Sequence, residues 1–350
     1  MYAKTLNSQH VAQFRQWIAA AHNIVLLSHM NADGDAHGSL LGMTLQIEKA
    51  VSPATRVTPI LPDGCAANFG WLPTAGRILS GRTQREECES LIAGSDLIVC
   101  TDLNVPSRTD FLADALVKTP ALKVLIDHHH NPDRENFDLV FSDDEISSAC
   151  ELCTWLSQAL WGQQMMDAQV ATCLYTGLRT DTGGFAFSCH QPSCFEAAAL
   201  LVGYDIQPAE IHNRIVNTFS PARMMFYGFA INERLRIYPG QRCAYFYFSL
   251  DDQRRFGVGG EDMEGLVNYT LMMRDIEVGA LLREEPTRTK ASFRSKYDTD
   301  VNLLARQLGG GGHTKAAGAT CEMSFTSAIA AVEQLLGVAG ITPSTPDSLI

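Results

Sequence analysis

Through the first half of the chain, short apolar runs alternate with stretches whose apolar positions recur at helical spacing, a pattern that predicts a parallel sheet with helices on both faces. The apolar runs fall at residues 24–28, 56–60, 97–101 and 123–126, and the helical spacing at 38–49, 83–93, 148–160 and 168–179. The opening stretch MYAKTLNSQHVAQFRQWIAA is amphipathic in the same way and predicts a helix rather than a secretion signal. This α/β domain takes in residues 1–190.

A connector is expected over 191–235, where Pro208 opens AEIHNRIVN and Ser220 caps a second helix with Pro221 at its first position. Over 236–345 the pattern changes to strand-like segments, CAYFYFSL, IEVGALLRE and TKASFRSKY. They are followed by a helix at 301–308 capped by Asp300, a glycine run and a last amphipathic helix at 328–336. This predicts a smaller α+β domain. The tail TPSTPDSLI is expected to be disordered.

Composition narrows the class. At 350 residues and 46% hydrophobic, the chain can bury two medium cores. No apolar run approaches the roughly 20 residues of a membrane span, so the cytosol is the expected location and no membrane partner is expected. The ten cysteines are scattered, and the one CxxC pair, Cys150 and Cys153, lies inside the helical pattern SACELCTWLSQAL. Buried free thiols are therefore expected rather than disulfides or zinc. The net charge of −12 argues against a broad basic surface for long nucleic acid. It leaves room for a small phosphorylated substrate, because acids gathered around bound cations contribute to that total.

The acids and histidines that matter stand just after predicted strands. His29 begins HMNADGDAHGS, which carries Asp33 and Asp35; Asp102 follows DLIVCT; Asp127, His128 and His129 follow KVLI. In an open parallel sheet these strand ends converge on one crevice. Asp181, at the end of the helix VATCLYTGLRT and before Gly183 and Gly184, is a fourth acid, at the end whose dipole favours a cation. A pair of metal ions about 3.5–4 Å apart needs such a set of carboxylates and imidazoles, with one carboxylate shared. The ligand types suit manganese better than calcium and leave zinc and iron open. Singly, each acid is more often a helix cap, and Asp35 alone would cap a helix starting near Ala36. Their convergence makes the metal reading the stronger one.

HMNADGDAHGS, VCTDLN, LIDHHHNP and TGLRTDTGGF resemble the four ordered motifs of the DHH phosphoesterases, and LGGGGHTKAAG resembles the signature of the DHH-associated C-terminal domain. The resemblance spans residues 24–320. It implies that His29, Asp33 and Asp102 hold one metal, that Asp35, Asp102, His128 and Asp181 hold the other, and that Asp102 is the bridge. It further implies that His129 meets the phosphate and that Asp127 orients the neighbouring histidine. Two divalent ions are expected as cofactors, manganese first and magnesium as the alternative.

In TKASFRSKY, strand alternation puts Lys290, Ser292, Arg294 and Lys296 on one face and Ala291, Phe293 and Tyr297 on the other. An ordinary solvated face accounts for Lys290 and Lys296. Arg294 stands apart, since a guanidinium can hold phosphate with two hydrogen bonds and the resembled family has an arginine here. The run 309–312 exceeds the one glycine a helix stop needs. Gly310, Gly311 and Gly312 would let backbone amides approach an anion, with His313 adding a donor.

A pair of domains of this length is most similar, within that family, to bifunctional oligoribonucleases that also dephosphorylate 3′-phosphoadenosine 5′-phosphate. The implied substrate is a small nucleotide or short single-stranded RNA, attacked in line by a hydroxide held between two metals, with a second copy of the chain as a candidate partner. The alternatives are a phosphodiesterase for cyclic or linear dinucleotides and, from another class, a nucleotide- or RNA-binding protein without catalysis. Two departures from the resembled pattern stand out. His37 replaces an aliphatic residue and reads as a helix surface position, and Ala186 stands where some relatives have an arginine.

Overall fold

In the computed structural model, which describes residues 6–312 and 314–344, the chain divides into two units, Met1–Asn217 and Thr218–Ile350. The first is built on strands β1 (Asn23–Leu27), β2 (Arg56–Leu61), β3 (Leu79–Ser80), β4 (Leu97–Thr101), β5 (Leu122–Asp127) and β6 (Leu139–Ser142). All pair in parallel, in the order β3-β2-β1-β4-β5-β6. The sheet is flanked by α1 (Ser8–Ala20), α2 (Gly34–Ala50), α3 (Arg85–Ala93), α4 (Ala113–Lys118), α5 (Ala149–Trp161), α6 (Ala168–Asp181), α7 (Pro192–Val202) and α8 (Pro208–Ile215).

The strands read as unbroken apolar runs because both faces are covered; every residue of β4 is buried. Leu26, Val99 and Val124 pack under α1, α2, α5 and α6. Val25, Leu27, Ile98, Cys100 and Leu125 point the other way, toward Cys88 and Ile92 of α3 and Leu116 of α4. The four predicted strands correspond to β1, β2, β4 and β5, while β3 has only two residues and β6 alternates buried and half-buried positions instead of forming an unbroken apolar run.

A glycine seam joins α2 to α6. A Cβ at Gly38 would lie 2.5 Å from the Cys173 carbonyl oxygen, and one at Gly42 would lie 2.6 Å from the Leu174 side chain. From the other side, a Cβ at Gly177 would lie 2.2 Å from Cys150 Sγ and 2.9 Å from the Asp35 Cα. Only glycine allows backbones this close. The seam brings the first turn of α2 beside the last turn of α6, the two places where Asp35 and Asp181 stand.

The second unit is a mixed sheet of β7 (Leu235–Tyr238), β8 (Cys243–Phe248), β9 (Val278–Glu284), β10 (Thr289–Ser295), β11 (Gly311–Gly312) and β12 (Ala316–Cys321), in the order β11-β12-β10-β9-β8-β7. Its β8 and β9 are parallel and its other pairs antiparallel. Helices α9 (Pro221–Phe229), α10 (Leu250–Phe256), α11 (Asn268–Leu271), α12 (Val301–Gln307) and α13 (Phe325–Leu335) complete it. As expected, the Ser220 side chain accepts from the Arg223 N–H to cap α9, and Asp300 accepts from the Asn302 N–H to cap α12.

The division between units runs through the segment expected as a connector, 191–235. Cys194, Ala197 and Leu201 of α7 and Ile211 of α8 are buried in the first core, whereas Phe226, Tyr227 and Phe229 of α9 are buried in the second. Proline and cap signals marked α8 and α9 but not α7, and which core each apolar face joins is a tertiary choice. The expected disordered tail lies outside the described residues from 345 onward. No helix among the described residues is long and apolar enough to cross a membrane. All ten cysteines are free and eight are buried.

Candidate metal centre

Strand order reverses between β1 and β4: the chain leaves β1 toward β2 on one side, while β4 and β5 lie on the other. A crevice opens at the carboxyl ends of strands where such a reversal occurs. His29 follows β1, Asp102 follows β4, and Asp127 ends β5 with His128 next. Asp102 is left-handed at φ 58°, a conformation uncommon outside glycine and concentrated at functional sites. Its N–H is fixed by the Ile126 carbonyl at 3.0 Å.

Helix α2 starts at Gly34 because Asp33 caps it, Oδ1 accepting from the N–H groups of Asp35 and Ala36 at 3.0 and 3.1 Å. The cap reading considered for Asp35 thus belongs to Asp33, which keeps its other oxygen free for the crevice. Asp35 is buried and turned toward α5, where Oδ2 accepts from Ala149 N–H at 2.6 Å and Oδ1 from Cys150 N–H at 2.9 Å. The positive end of a helix holds this carboxylate.

These pieces meet. His128 Nε2 lies 3.4 Å from Asp102 Oδ1 and 3.7 Å from both Asp35 Oδ2 and Asp181 Oδ2. His29 Nε2 lies 3.3 Å from Asp102 Oδ2. Three groups, His29 with Asp33 and Asp102, Asp35 with His128 and Asp181, and Asp102 with His128 and His129, each bring their ligand atoms within 4.8 Å of one another. All six residues expected as ligands fall in these groups. Asp102 Oδ1 is buried with no hydrogen-bond donor, a deficit that a cation would remove.

The electrostatics agree. Burial, and then the negative charges of Asp102 and Asp181, push Asp35 well above the usual carboxylate range. Burial likewise raises Asp181 to about 6, with Asp102 and Asp33 adding to it and His128 opposing. Burial works against charge on His128, but the Asp102 carboxylate beside it and the field of Asp35 and Asp181 outweigh it and push the imidazole up to about 10. Asp102, against the cost of its burial, is held below its ordinary value by His128 and His29. Carboxylates that cannot all ionise together, one with an orphaned oxygen, fit a pair of divalent cations.

Beside the acids lies a corner able to receive an anion. His129 Nδ1 donates to Asp127 Oδ1 at 2.8 Å, and its backbone N–H to Asp127 Oδ2 at 3.1 Å. Arg108 Nη1 then donates to His129 Nε2 at 3.0 Å. Arg108 was missed in the sequence; its only mark is an arginine in the same strand-end loop as Asp102. The loop folds back because the Arg108 carbonyl accepts from Met30 N–H at 2.8 Å. His130 instead pairs with Asp144 at 2.7 Å and is exposed.

His37 is not a surface residue. It is fully buried, with Nδ1 donating to the Asp33 carbonyl at 2.6 Å and Nε2 accepting from Ala66 N–H at 3.1 Å. The segment around Phe69 covers the face of α2 that the pattern left open, with its ring 4.8 Å from that of His37 and tilted 34° to it.

In the second unit, β10 presents Lys290, Ser292 and Arg294 away from its buried residues Thr289, Ala291, Phe293 and Ser295. Tyr297 falls beyond the strand and is exposed rather than sharing the buried face. The Arg294 guanidinium is half-buried and donates to the Phe293 carbonyl at 2.9 Å; burial lowers its pKa. The glycine run is more structural than expected. The Gly309 N–H donates to the Arg306 carbonyl at 3.1 Å and that of Gly310 to Ala305 at 2.9 Å, closing α12. A Cβ at Gly310 or Gly312 would strike the backbone of β12 at 2.1 or 2.6 Å. Gly311 is exposed and meets no such clash. His313 lies outside the described residues.

Comparison with known proteins matches residues 23–178 to the DHH family, N-terminal domain, and residues 240–337 to the DHHA1 domain. The chain is 27% identical over 327 residues to the bifunctional oligoribonuclease and PAP phosphatase NrnA of Thermus thermophilus, covering 91% of each chain. To the protein of the same name from Bacillus subtilis it is 26% identical, covering 87% of this chain and 90% of that one. Among solved structures, an exopolyphosphatase-related protein from Bacteroides fragilis superposes with a TM-score of 0.90 at 30% identity, covering 95% of this chain and 96% of the other.

Proposed function

Since this chain belongs to the DHH family, we propose that it is a two-metal phosphoesterase hydrolysing short oligoribonucleotides, 3′-phosphoadenosine 5′-phosphate or both. Membership, together with relatives of that activity along nine-tenths of the chain, makes it a hydrolase of nucleotides. The observation that carries the finer reading is the set of three carboxylates around His128 Nε2, with Asp102 shared.

Bound there, two divalent ions would supply positive charge to a phosphoryl group and lower the pKa of water. His29, Asp33 and Asp102 would hold one, and Asp35, Asp102, His128 and Asp181 the other. Manganese is the ion of choice for this mixture of carboxylate and imidazole, with magnesium second. Asp127 fixes the ring of His129, and every side-chain hydrogen bond of Arg108 among the described residues leaves from Nη1. Its remaining N–H groups are available to phosphoryl oxygens, where they would offset developing charge. Arg294, Ser292 and the exposed Gly311 would bind the anionic part of the nucleotide. Free, buried thiols fit a cytosolic setting.

Turnover of 3′-phosphoadenosine 5′-phosphate, a short oligoribonucleotide and cyclic di-AMP, each with manganese, magnesium or chelator, tests the reading. Metal-dependent turnover of either of the first two supports it, cyclic di-AMP alone would move the assignment to the dinucleotide phosphodiesterases, and tight binding without turnover of any would make the chain a binding protein. Replacing Arg294 with alanine is expected to raise KM by roughly 10- to 100-fold, the loss of a charge-assisted pair of hydrogen bonds. The thermal stabilisation by manganese should stay as in the parent chain, and an unchanged KM would remove Arg294 from the substrate contacts.

Metal uptake should also move protons. The carboxylates around His128 push its imidazole up to about 10 and favour its protonated form, yet only a neutral imidazole can ligate. At pH 8, manganese binding is therefore expected to release about one proton or more per chain. Titration calorimetry in two buffers of different ionisation enthalpy reads this directly; identical heats would mean that no proton leaves with metal binding and that His128 is not a ligand.

A further inference from the structure

Cys189 and Cys194 hold their sulfur atoms 3.1 Å apart, in contact and unbonded. Cys189 ends the segment that leaves Asp181, in which Gly183, Gly184 and Phe185 all take left-handed φ, at 57°, 74° and 69°. Cys194 sits in the first turn of α7 and is buried against Ser147, the residue before the cap of α5. The other close-spaced pair, Cys150 and Cys153, is fully buried inside α5 and out of reach of any reagent.

We propose that Cys189 and Cys194 form a redox-active dithiol, oxidised by low-molecular-weight disulfides such as oxidised glutathione, which fastens the segment after Asp181 to the start of α7. The order of events follows from exposure. Cys189 is half-buried and reachable, whereas Cys194 is buried and its thiol is pushed up to about 12 by that burial. The sulfur of Cys189 gives up its proton and attacks one sulfur of the glutathione disulfide, forming a mixed disulfide and expelling one glutathione thiolate, which takes a proton. The sulfur of Cys194 then attacks Cys189 Sγ, expelling the second glutathione, which takes the Cys194 proton. Two protein thiols are oxidised and one disulfide is reduced to two thiols. Contact between the sulfurs makes the second step intramolecular, so the mixed disulfide does not accumulate.

The sequence provides a clean readout, because no lysine or arginine lies between Arg179 and Arg214, so trypsin releases residues 180–214 with these two cysteines and no other. The full chain is incubated with oxidised glutathione, unfolded in the presence of an alkylating reagent, digested and weighed. In the parent chain this peptide should be unalkylated and lighter by about 2 Da, the two hydrogens lost on forming an internal disulfide. Cys194→Ser should stop at one glutathione on Cys189, and Cys189→Ser should leave Cys194 alkylated. Recovery of both cysteines alkylated in the parent chain would overturn the proposal, as would a glutathione adduct that persists there. The parent chain decides the matter, so it does not depend on either variant folding.

Discussion

Asp102→Asn is expected to lower turnover by about three orders of magnitude or more, since it removes the one carboxylate within reach of both halves of the acid cluster. The substitution keeps the shape of the side chain. It leaves the N–H bond to Ile126 in place, so the turn after β4 should persist and the circular dichroism of the metal-free protein should match the parent. What should vanish is the rise in thermal midpoint on adding manganese, because stabilisation by a ligand scales with its affinity for the folded state. Turnover near the parent value, or an undiminished manganese shift, would detach Asp102 from the chemistry and with it the two-metal reading.

The second large effect is on folding. Gly177→Val would place a branched side chain where even a Cβ meets Cys150 Sγ at 2.2 Å and the Asp35 Cα at 2.9 Å. One of those neighbours is backbone and cannot swing aside, so α2 and α6 must separate. Overpacking of this kind costs about 3 kcal/mol or more, seen as a lower urea midpoint or as failure to accumulate folded protein. Gly240→Ala is the control, since a Cβ there meets nothing within 4 Å and should change stability by no more than about 0.5 kcal/mol. Equal midpoints for Gly177→Val and the parent would show that the seam yields, and the placement of Asp35 beside Asp181 would need another cause.

The acids at the strand ends were legible because β1, β4 and β5 are buried on both faces, which turns each into a conspicuous apolar run with a polar break at its end. Side-chain direction was not legible. Nothing in the spacing of Asp33 and Asp35 says which caps α2 and which reaches α5, since that depends on where a helix more than a hundred residues later begins. His37 misled because a polar residue on a helix is usually solvated; here α2 is covered on almost every side, and the burial is satisfied by two backbone partners. Arg108 sits in an irregular loop with no period to reveal it. The glycine run illustrates the opposite error: composition suggested anion binding for the whole run, whereas closing α12 and approaching β12 occupy Gly309, Gly310 and Gly312.

The hold of α5 on Asp35 gives the protein a built-in reporter. The amide protons of Ala149 and Cys150 both point into that carboxylate, so any ion drawing charge from it must weaken its grip on them. Their nuclear magnetic resonance frequencies should therefore shift with occupancy, letting loading be followed residue by residue without substrate, turnover or dye.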